Sequence, residues 1–364
     1  MIKIALIAKN LNINGVSSVV LSLATNLSSN DYKIDIFVGA PISSFNTEKI
    51  AKKRNINIIQ TPTRSLKNSL KYYGFLKRKL KGYDIVHVHG NSCVIAIDLA
   101  IAKLNKNKNT IAHCHNTSCD HKLMHRMLKP FFSVFYDLGL APTDDCGKWM
   151  FGNNKYNILR NGVNTKEYDF DTNKRKSIRS SLNIRENDYV IGHVGNFSRQ
   201  KNYGHIIKTF DKLCEKGDNY KLLLIGRYQN NLETFKMIKE SKNAEKIIIY
   251  GATKKPSSLY NAMDCFIFPS LFEGFGIVLL EAQLNGLPCI VSDNIPKEAF
   301  LTKDCLGLSL KSDISLWCDS IVKIKAQKKR AGQSDNCALK QYDIDTVVSK
   351  LDDIYKKLYR KKKQ

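Results

Sequence analysis

The sequence predicts an α/β protein built as two halves, each a mostly parallel sheet with helices packed on it. Three observations carry that expectation. Short apolar runs, the form of strands buried on both faces, recur at 2–8, 84–89, 111–117, 189–195, 221–225, 265–268 and 287–291. Several run into a loop carrying glycine or polar residues and then into a stretch with helical apolar spacing. And 364 residues suffice for two such cores.

Composition narrows the classes. Hydrophobic residues make up 43%, yet no segment approaches the roughly 20 apolar residues of a membrane-spanning helix. The opening run is cut short by Lys9 and Asn10, so it reads as a first strand and not as a signal peptide. Ten cysteines lie scattered without paired spacing, which suggests reduced thiols in the cytosol and no disulfide framework. The net charge of +25 admits nucleic acid, anionic lipid or a polyanionic substrate as partners. Nucleic acid is not expected, because no zinc-finger spacing, RNP-like aromatic strand or repeat is present. An AT-rich genome favouring Lys and Asn codons accounts for the charge equally well.

The first half is read in chain order. After the strand 2–8, the loop 10–18 carries Gly15-Val16 and leads into helical spacing over 19–27. It is an ordinary strand-to-helix turn, or one whose glycine lets backbone N–H groups approach a ligand phosphate. Strands follow at 33–38 and 56–60. Residues 64–81, opening on Arg64 and closing on Lys81, add Lys67, Lys71, Lys77, Arg78 and Lys79 with no acidic residue. Leu66, Leu70, Tyr73, Leu76 and Leu80 recur there at helical intervals, which predicts a basic amphipathic helix. Such a helix packs its stripe on the sheet with its lysines in water, or docks on anionic lipid head groups. The strand 84–89 puts His87 and His89 on one face, and 111–117 does the same for His113 and His115. With Cys119, His121 and His125 nearby, the second stretch invites a zinc reading, but neither pair has the spacing of a closed site. A strand at 138–142, a helix at 144–151 capped by Thr143 and a strand-then-turn at 158–164 complete this half. The polar run 165–188 is the expected hinge and outer helix.

The second sheet opens with 189–195. The loop after it holds Asn196, Arg199 and Lys201, whose cations can bind a diphosphate or be no more than exposed loop charges. Strands at 221–225 and 246–250 each end in a glycine, and Ala252 follows the second. Strand 265–268 runs into a turn with Glu273, a loop Gly274-Phe275-Gly276, and a helix from Ile277 to about Asn285 stopped by Gly286. Strand, glycine loop, helix is the arrangement by which α/β proteins hold phosphates, because free N–H groups and the helix dipole face the anion. Glu273 and Glu281 frame that loop with seven residues between them. On spacing alone, Glu273 can cap the helix and Glu281 face solvent, or both can address a ligand. Helices at 316–324 and 347–358 and a basic tail at 360–363 close the chain.

Glu273-Gly-Phe-Gly, Glu281-Ala282 and Gly286-Leu-Pro288 together resemble the E-x7-E signature of the retaining nucleotide-sugar glycosyltransferases of family four, of the type that builds bacterial capsules and exopolysaccharides. The resemblance implies the GT-B fold, two Rossmann-like domains facing each other across a cleft. Residues 1–165 are then the acceptor-binding domain and 166–345 the nucleotide-sugar domain, with 346–364 a last helix crossing back to the first. It implies hexosyl transfer from a nucleotide-sugar, foremost a UDP-sugar, to a saccharide acceptor carried on a lipid, with retention of configuration. By the same resemblance Glu273 binds hydroxyls of the donor sugar and Glu281 the ribose. Arg199, Lys201 and the N–H groups of Gly274, Phe275, Gly276 and Ile277 hold the departing diphosphate. His115 lies beside the transferring sugar, Gly15 and Val16 lie against the diphosphate and acceptor, and the loop of Ala252 approaches the base. The family carries arginine where this chain has Asn196, and Arg199 is the expected substitute. No metal or other cofactor is implied, since no Asp-x-Asp-type pair lies in a suitable loop, and the leaving phosphate takes the acceptor's proton. The expected location is the cytoplasm, peripheral on the inner membrane face, with the 64–81 helix as the contact.

Two other classes remain open at this level. A sugar-nucleotide epimerase or hydrolase of the same fold would draw its acid and base from His87, His89, His113 and His115. A non-catalytic polyanion binder would rest on the +25 alone.

Overall fold

The computed structural model describes residues 1–12, 15–27, 30–39, 51–63, 66–107, 109–217, 219–227, 232–253, 255–326, 330 and 336–361. The chain divides into two units, Met1–Val163 with Gln341–Gln364, and Asn164–Lys340.

The first unit is built on seven strands: β1 (Ile2–Ala8), β2 (Tyr32–Val38), β3 (Asn57–Gln60), β4 (Ile85–Gly90), β5 (Asn109–Cys114), β6 (Leu138–Ala141) and β7 (Asn157–Ile158). Their order is β3-β2-β1-β4-β5-β6-β7, and every pairing is parallel. The second unit holds β8 (Tyr189–Val194), β9 (Tyr220–Ile225), β10 (Ile247–Gly251), β11 (Cys265–Phe268), β12 (Cys289–Ser292) and β13 (Cys305–Leu308). These too are all parallel, in the order β10-β9-β8-β11-β12-β13. The central strands are buried on both faces, as their unbroken apolar runs require.

Each sheet reverses its direction of growth once. The chain builds outward from β1 through β3 and returns to β4, and builds outward from β8 through β10 and returns to β11. At such a switch point the loops leaving the two neighbouring strands diverge and open a crevice at the carboxyl edge. The loops after β8 and β11 are the ones that carry Asn196 to Lys201 and Glu273 to Gly276.

The last helix, Ile344–Lys361, buries Ile344, Val347, Leu351 and Tyr355 within the first unit and packs on the helix Gly15–Leu27. It comes close because Gly162 lacks a side chain: a Cβ there would sit 2.8 Å from Ile344 Cδ1. Of the basic tail, Arg360 and Lys361 end this helix, and 362–363 lie outside the described residues.

The basic helix differs from its expected form. A 3₁₀ turn at Leu66–Asn68 precedes the helix Ser69–Lys79, and Arg64 and Ser65 lie outside the described residues. Its buried line is Tyr72, Leu76 and Leu80, whereas Leu70, expected in the apolar stripe, is 88% exposed. Leu76 lies six positions beyond Leu70, which leaves Leu70 about 120° off the buried line. The polar run 165–188 is likewise anchored. On its helix Thr172–Ser181, Arg175 and Arg179 reach Asp264 at 2.6 and 3.2 Å.

Candidate active site

Tyr189 to Val194 forms a buried strand that must end at Gly195, where a Cβ would stand 3.1 Å from both His193 Nε2 and Lys201 Cε. Gly226, at the end of β9, is more tightly held still, since a Cβ there would overlap the Gly195 carbonyl oxygen at 1.8 Å. The chain then turns through Arg199–Lys201, and Asn202 adopts a left-handed conformation to start the helix Tyr203–Cys214. The Leu271 N–H donates to the Gln200 carbonyl at 2.8 Å, and Gln200 Nε2 donates to the Phe272 carbonyl at 2.9 Å. These bonds lock the β8 loop to the β11 loop.

That lock brings Lys201 to Glu273. Lys201 Nζ lies 2.6 Å from Glu273 Oε1 and 4.7 Å from the centre of the Phe268 ring. Both side chains of the pair are largely removed from water, which strengthens their attraction. The helix behind it, Ile277–Leu284, has Gly276 at its N-cap. Gly276 sits at φ +87°, a left-handed geometry that glycine adopts without strain. The helix thus sets the positive end of its dipole beside the Lys201–Glu273 pair.

Glu281 is buried, which overturns the solvated reading of that position. Tyr168 donates to its Oε1 at 2.9 Å and Tyr260 to its Oε2 at 2.7 Å. Burial pushes the carboxyl up to about 7, against the opposing pull of the Tyr260 and Tyr168 hydroxyls. Neither tyrosine was legible as a partner in the sequence. Tyr168 lies in the polar run read as a hinge, and Tyr260 ends a short helix, Pro256–Tyr260.

The remaining loop residues are placed around this centre. Arg199 is exposed on the same turn as Lys201. Asn196 accepts the Arg227 N–H at 3.4 Å, so a cation that sequence reasoning passed over stands at the neighbouring strand end. Ala252 is exposed after Gly251, whose carbonyl accepts the Gly226 N–H at 2.9 Å. His193 is held neutral, its pKa pushed down to about 3 by burial. Its Nδ1 lies 2.9 Å from the Ile267 carbonyl, and its Nε2 has no partner among the described residues.

The first unit gathers its own group. Gly15 and Val16 open the helix Gly15–Leu27 after β1. His87 and His89 on β4 stack at 4.2 Å, and His113 on β5 and His115 just after it lie 4.3 Å apart with their rings tilted by 32°. His87 Nε2 lies 3.1 Å from His113 Nδ1, His89 Nδ1 lies 2.9 Å from His115 Nε2, and Tyr355 Oη lies 2.7 Å from His87 Nδ1. Burial keeps all four neutral: His87 and His115 are pushed down to about 3, and His89 and His113 well below their ordinary value. The grouping differs from the one in the zinc reading, which the spacing did not favour. His113 and His115 join His87 and His89, whereas His125 stacks flat on Trp149 at 4.2 Å. His87, His89 and His113 bring ring nitrogens within 4.8 Å of one another. The His87 ring is stacked on both His89 and His113, the His89 and His113 rings are tilted by 37°, and His87 Nε2 and His113 Nδ1 are paired with each other at 3.1 Å.

The chain matches two family models, "Glycosyltransferase Family 4" over residues 13–167 and "Glycosyl transferases group 1" over 174–304. It is 26% identical over 309 residues to EpsF of Bacillus subtilis (strain 168), covering 81% of this chain and 78% of that protein. It is 24% identical over 322 residues to the UDP-Gal:alpha-D-GlcNAc-diphosphoundecaprenol alpha-1,3-galactosyltransferase of Escherichia coli, covering 84% and 81%. Among solved structures, Anabaena Alr3699/HepE in complex with UDP-glucose superposes with a TM-score of 0.82 at 16% identity, over 98% of this chain and all of that one. The glycosyltransferase WaaG, involved in lipopolysaccharide biosynthesis, gives 0.74 at 16% identity, over 97% and 99%. These two likenesses establish the GT-B fold.

Proposed function

The chain belongs to the family 4 glycosyltransferases, and from that premise we propose that it moves a hexose from a UDP-sugar to a lipid-linked saccharide with retention of configuration. The observation that carries this reading is the Lys201–Glu273 pair set beside a glycine-started helix at the β8/β11 switch point. A nucleoside diphosphate needs a cation and the positive end of a helix, and a sugar needs an acceptor for its hydroxyls; this loop pair supplies Lys201, the start of the helix Ile277–Leu284 and Glu273.

In the proposed complex, Lys201, Arg199 and the N–H groups from Gly274 to Ile277 hold the diphosphate, and Glu273 accepts from donor-sugar hydroxyls. Glu281 accepts from the ribose through lone pairs that Tyr168 and Tyr260 leave open. Asn196 and Ala252 border the nucleotide. In the first unit, Gly15 and Val16 approach the diphosphate and acceptor, and His115 orients a sugar hydroxyl. The anomeric C–O bond to the β-phosphate breaks while the acceptor oxygen bonds to the same face of that carbon. The leaving phosphate oxygen takes the acceptor's proton, giving glycoside and UDP. The cations and helix N–H groups stabilise the charge that develops on the phosphate.

Relatives support the setting. One is named for a UDP-galactose donor and a diphosphoundecaprenol-linked acceptor, and another as a capsular polysaccharide biosynthesis glycosyltransferase of Staphylococcus aureus. Among the described residues no helix is long and apolar enough to cross a membrane. A peripheral position on the inner membrane face is proposed instead, with exposed Lys77, Arg78 and Lys79 reaching anionic head groups.

Thermal unfolding against a panel of UDP-, GDP-, ADP- and CMP-sugars tests the donor. UDP-sugars alone are expected to raise the midpoint, by less in Glu281→Ala. A shift confined to another nucleotide would replace the donor, and no shift with any of them would remove the reading.

A further inference from the structure

Beyond the candidate active site, the first unit holds a cavity of about 560 Å³ beside the helix Lys122–Leu128, within the roughly 300–1,000 Å³ range of small-ligand pockets. Three cations, Lys122, Arg126 and Lys129, share its wall with Thr117, Ser118 and Leu123. Trp149 and His125 form an aromatic wall, their rings 4° from parallel. His125 is kept neutral by burial and by Lys129, and its Nδ1 accepts the Cys93 N–H at 3.2 Å. No carboxylate lines the cavity, and residues 121–136 contain neither Asp nor Glu.

Three like charges around one hollow repel one another unless an anion lies between them. Lys129 Nζ donates to the Trp149 and Lys148 carbonyls at 2.6 and 3.3 Å. Lys122 and Arg126 are exposed and have no carboxylate partner among the described residues. Five large apolar side chains also stand in water on this segment: Leu123 at 75% exposure, Met124 at 46%, Met127 at 63%, Phe131 at 64% and Val134 at 64%. Such a run of exposed apolar residues calls for a partner. Lys122 and Arg126 lie one helical turn apart, as do Leu123 and Met127, so a cationic line runs beside an apolar one.

An anion joined to an apolar chain satisfies both lines at once. We propose that this cavity seats the diphosphate of a polyprenyl-diphosphate-linked acceptor, with the prenyl chain lying along Leu123, Met127 and Phe131. Thr117 and Ser118 follow His115 closely in the chain, so the saccharide beyond the diphosphate is tethered near that histidine. The inference rests on the reading of the acceptor as a lipid-linked saccharide.

Calorimetric titration of the full chain with farnesyl diphosphate, inorganic pyrophosphate and farnesol tests it. Farnesyl diphosphate is expected to bind most tightly. The double substitution Lys122→Ala/Arg126→Ala should weaken farnesyl diphosphate and pyrophosphate alike by about tenfold or more. Met127→Ser/Phe131→Ser should weaken farnesyl diphosphate only. All four side chains are exposed, and unchanged thermal midpoints would verify that both variants fold. Farnesol binding as tightly as its diphosphate, or an unchanged Kd in the charge variant, would overturn the proposal. So would phosphatidylglycerol vesicles that bind wild type as tightly as farnesyl diphosphate does and lose that binding in the charge variant, because the surface would then serve the bilayer. UDP binding measured on the same samples separates the two readings. Loss of UDP binding alone strikes the donor assignment, and loss of farnesyl diphosphate binding alone strikes this site.

Discussion

Lys201 Nζ lies 2.6 Å from Glu273 Oε1, joining two loops whose residues stand 72 apart in the chain. The pair sits where a cation for the diphosphate and a carboxylate for the sugar must be held together. Lys201→Ala leaves a largely buried carboxylate without its cation, a loss that typically costs about 3 kcal/mol. It also removes a charge-assisted contact from the proposed donor site. The expected outcome is a lower unfolding midpoint of the variant and turnover slowed about a hundredfold or more. Adding Glu273→Gln should restore much of the stability and none of the turnover. Recovery of turnover in the double variant would assign the pair a purely structural role.

Gly276 is the second point of leverage. Its φ of +87° is strained for any residue with a Cβ, by about 1–2 kcal/mol, and that Cβ would meet Phe268 Cε1 at 3.0 Å. Gly276→Ala is expected to lower the midpoint modestly and to weaken UDP binding by more than the stability loss implies, since the loop's N–H groups would be re-aimed. Titration calorimetry at a temperature where the variant is fully folded checks this.

Glu281 gives the second unit a pH signature. Its folded pKa, about 7, lies above its ordinary value of 4.5, so the folded state holds the proton more tightly than the unfolded one does. The stability from that proton is fully present below about 4.5 and is lost as pH rises through about 7. The slope is about 1.4 kcal/mol per pH unit inside that window. Glu281→Gln should therefore gain stability relative to wild type between pH 5 and pH 8, read from unfolding midpoints. The wild-type affinity for UDP should rise over the same window as the carboxylate forms, and the variant's should stay flat.

The histidine block gives the opposite sign. His87 and His115 are pushed down to about 3 from 6.5, so the folded state binds fewer protons than the unfolded one. Their stability contribution is complete above about 6.5 and is lost as pH falls toward 3, again by about 1.4 kcal/mol per pH unit for each ring. Tyr355→Phe removes the hydroxyl 2.7 Å from His87 Nδ1 and leaves that buried nitrogen unpaired, at a cost of about 1–3 kcal/mol. The variant should lose the packing of the helix Ile344–Lys361 at a higher pH than wild type, a change that hydrogen exchange of that helix would follow.

The parallel architecture was legible because its central strands are buried on both faces and read as apolar runs, such as Ile2 to Ala8 and Cys265 to Phe268. The short strand Cys305–Leu308 was not, since it is half exposed and carries Gly307. The glycine loop before a helix was legible, while spacing alone left Glu273 and Glu281 either capping and solvated or facing a ligand. The partners of the two glutamates were not legible, because Tyr168, Tyr260 and Lys201 reach the carboxylates through tertiary contacts that leave no local pattern. The stripe on the basic helix misled for a similar reason. Periodicity gives a face its residues, but the start of the helix at Ser69 decides that Tyr72 faces in and Leu70 faces out.

Calorimetric binding of UDP to wild type, Lys201→Ala and Glu281→Ala tests the central claim that the β8 and β11 loops form the donor site. Binding by wild type, with Kd raised about tenfold or more in each variant while both remain folded, is the predicted result. Equal Kd in all three proteins would place the nucleotide elsewhere and contradict the account.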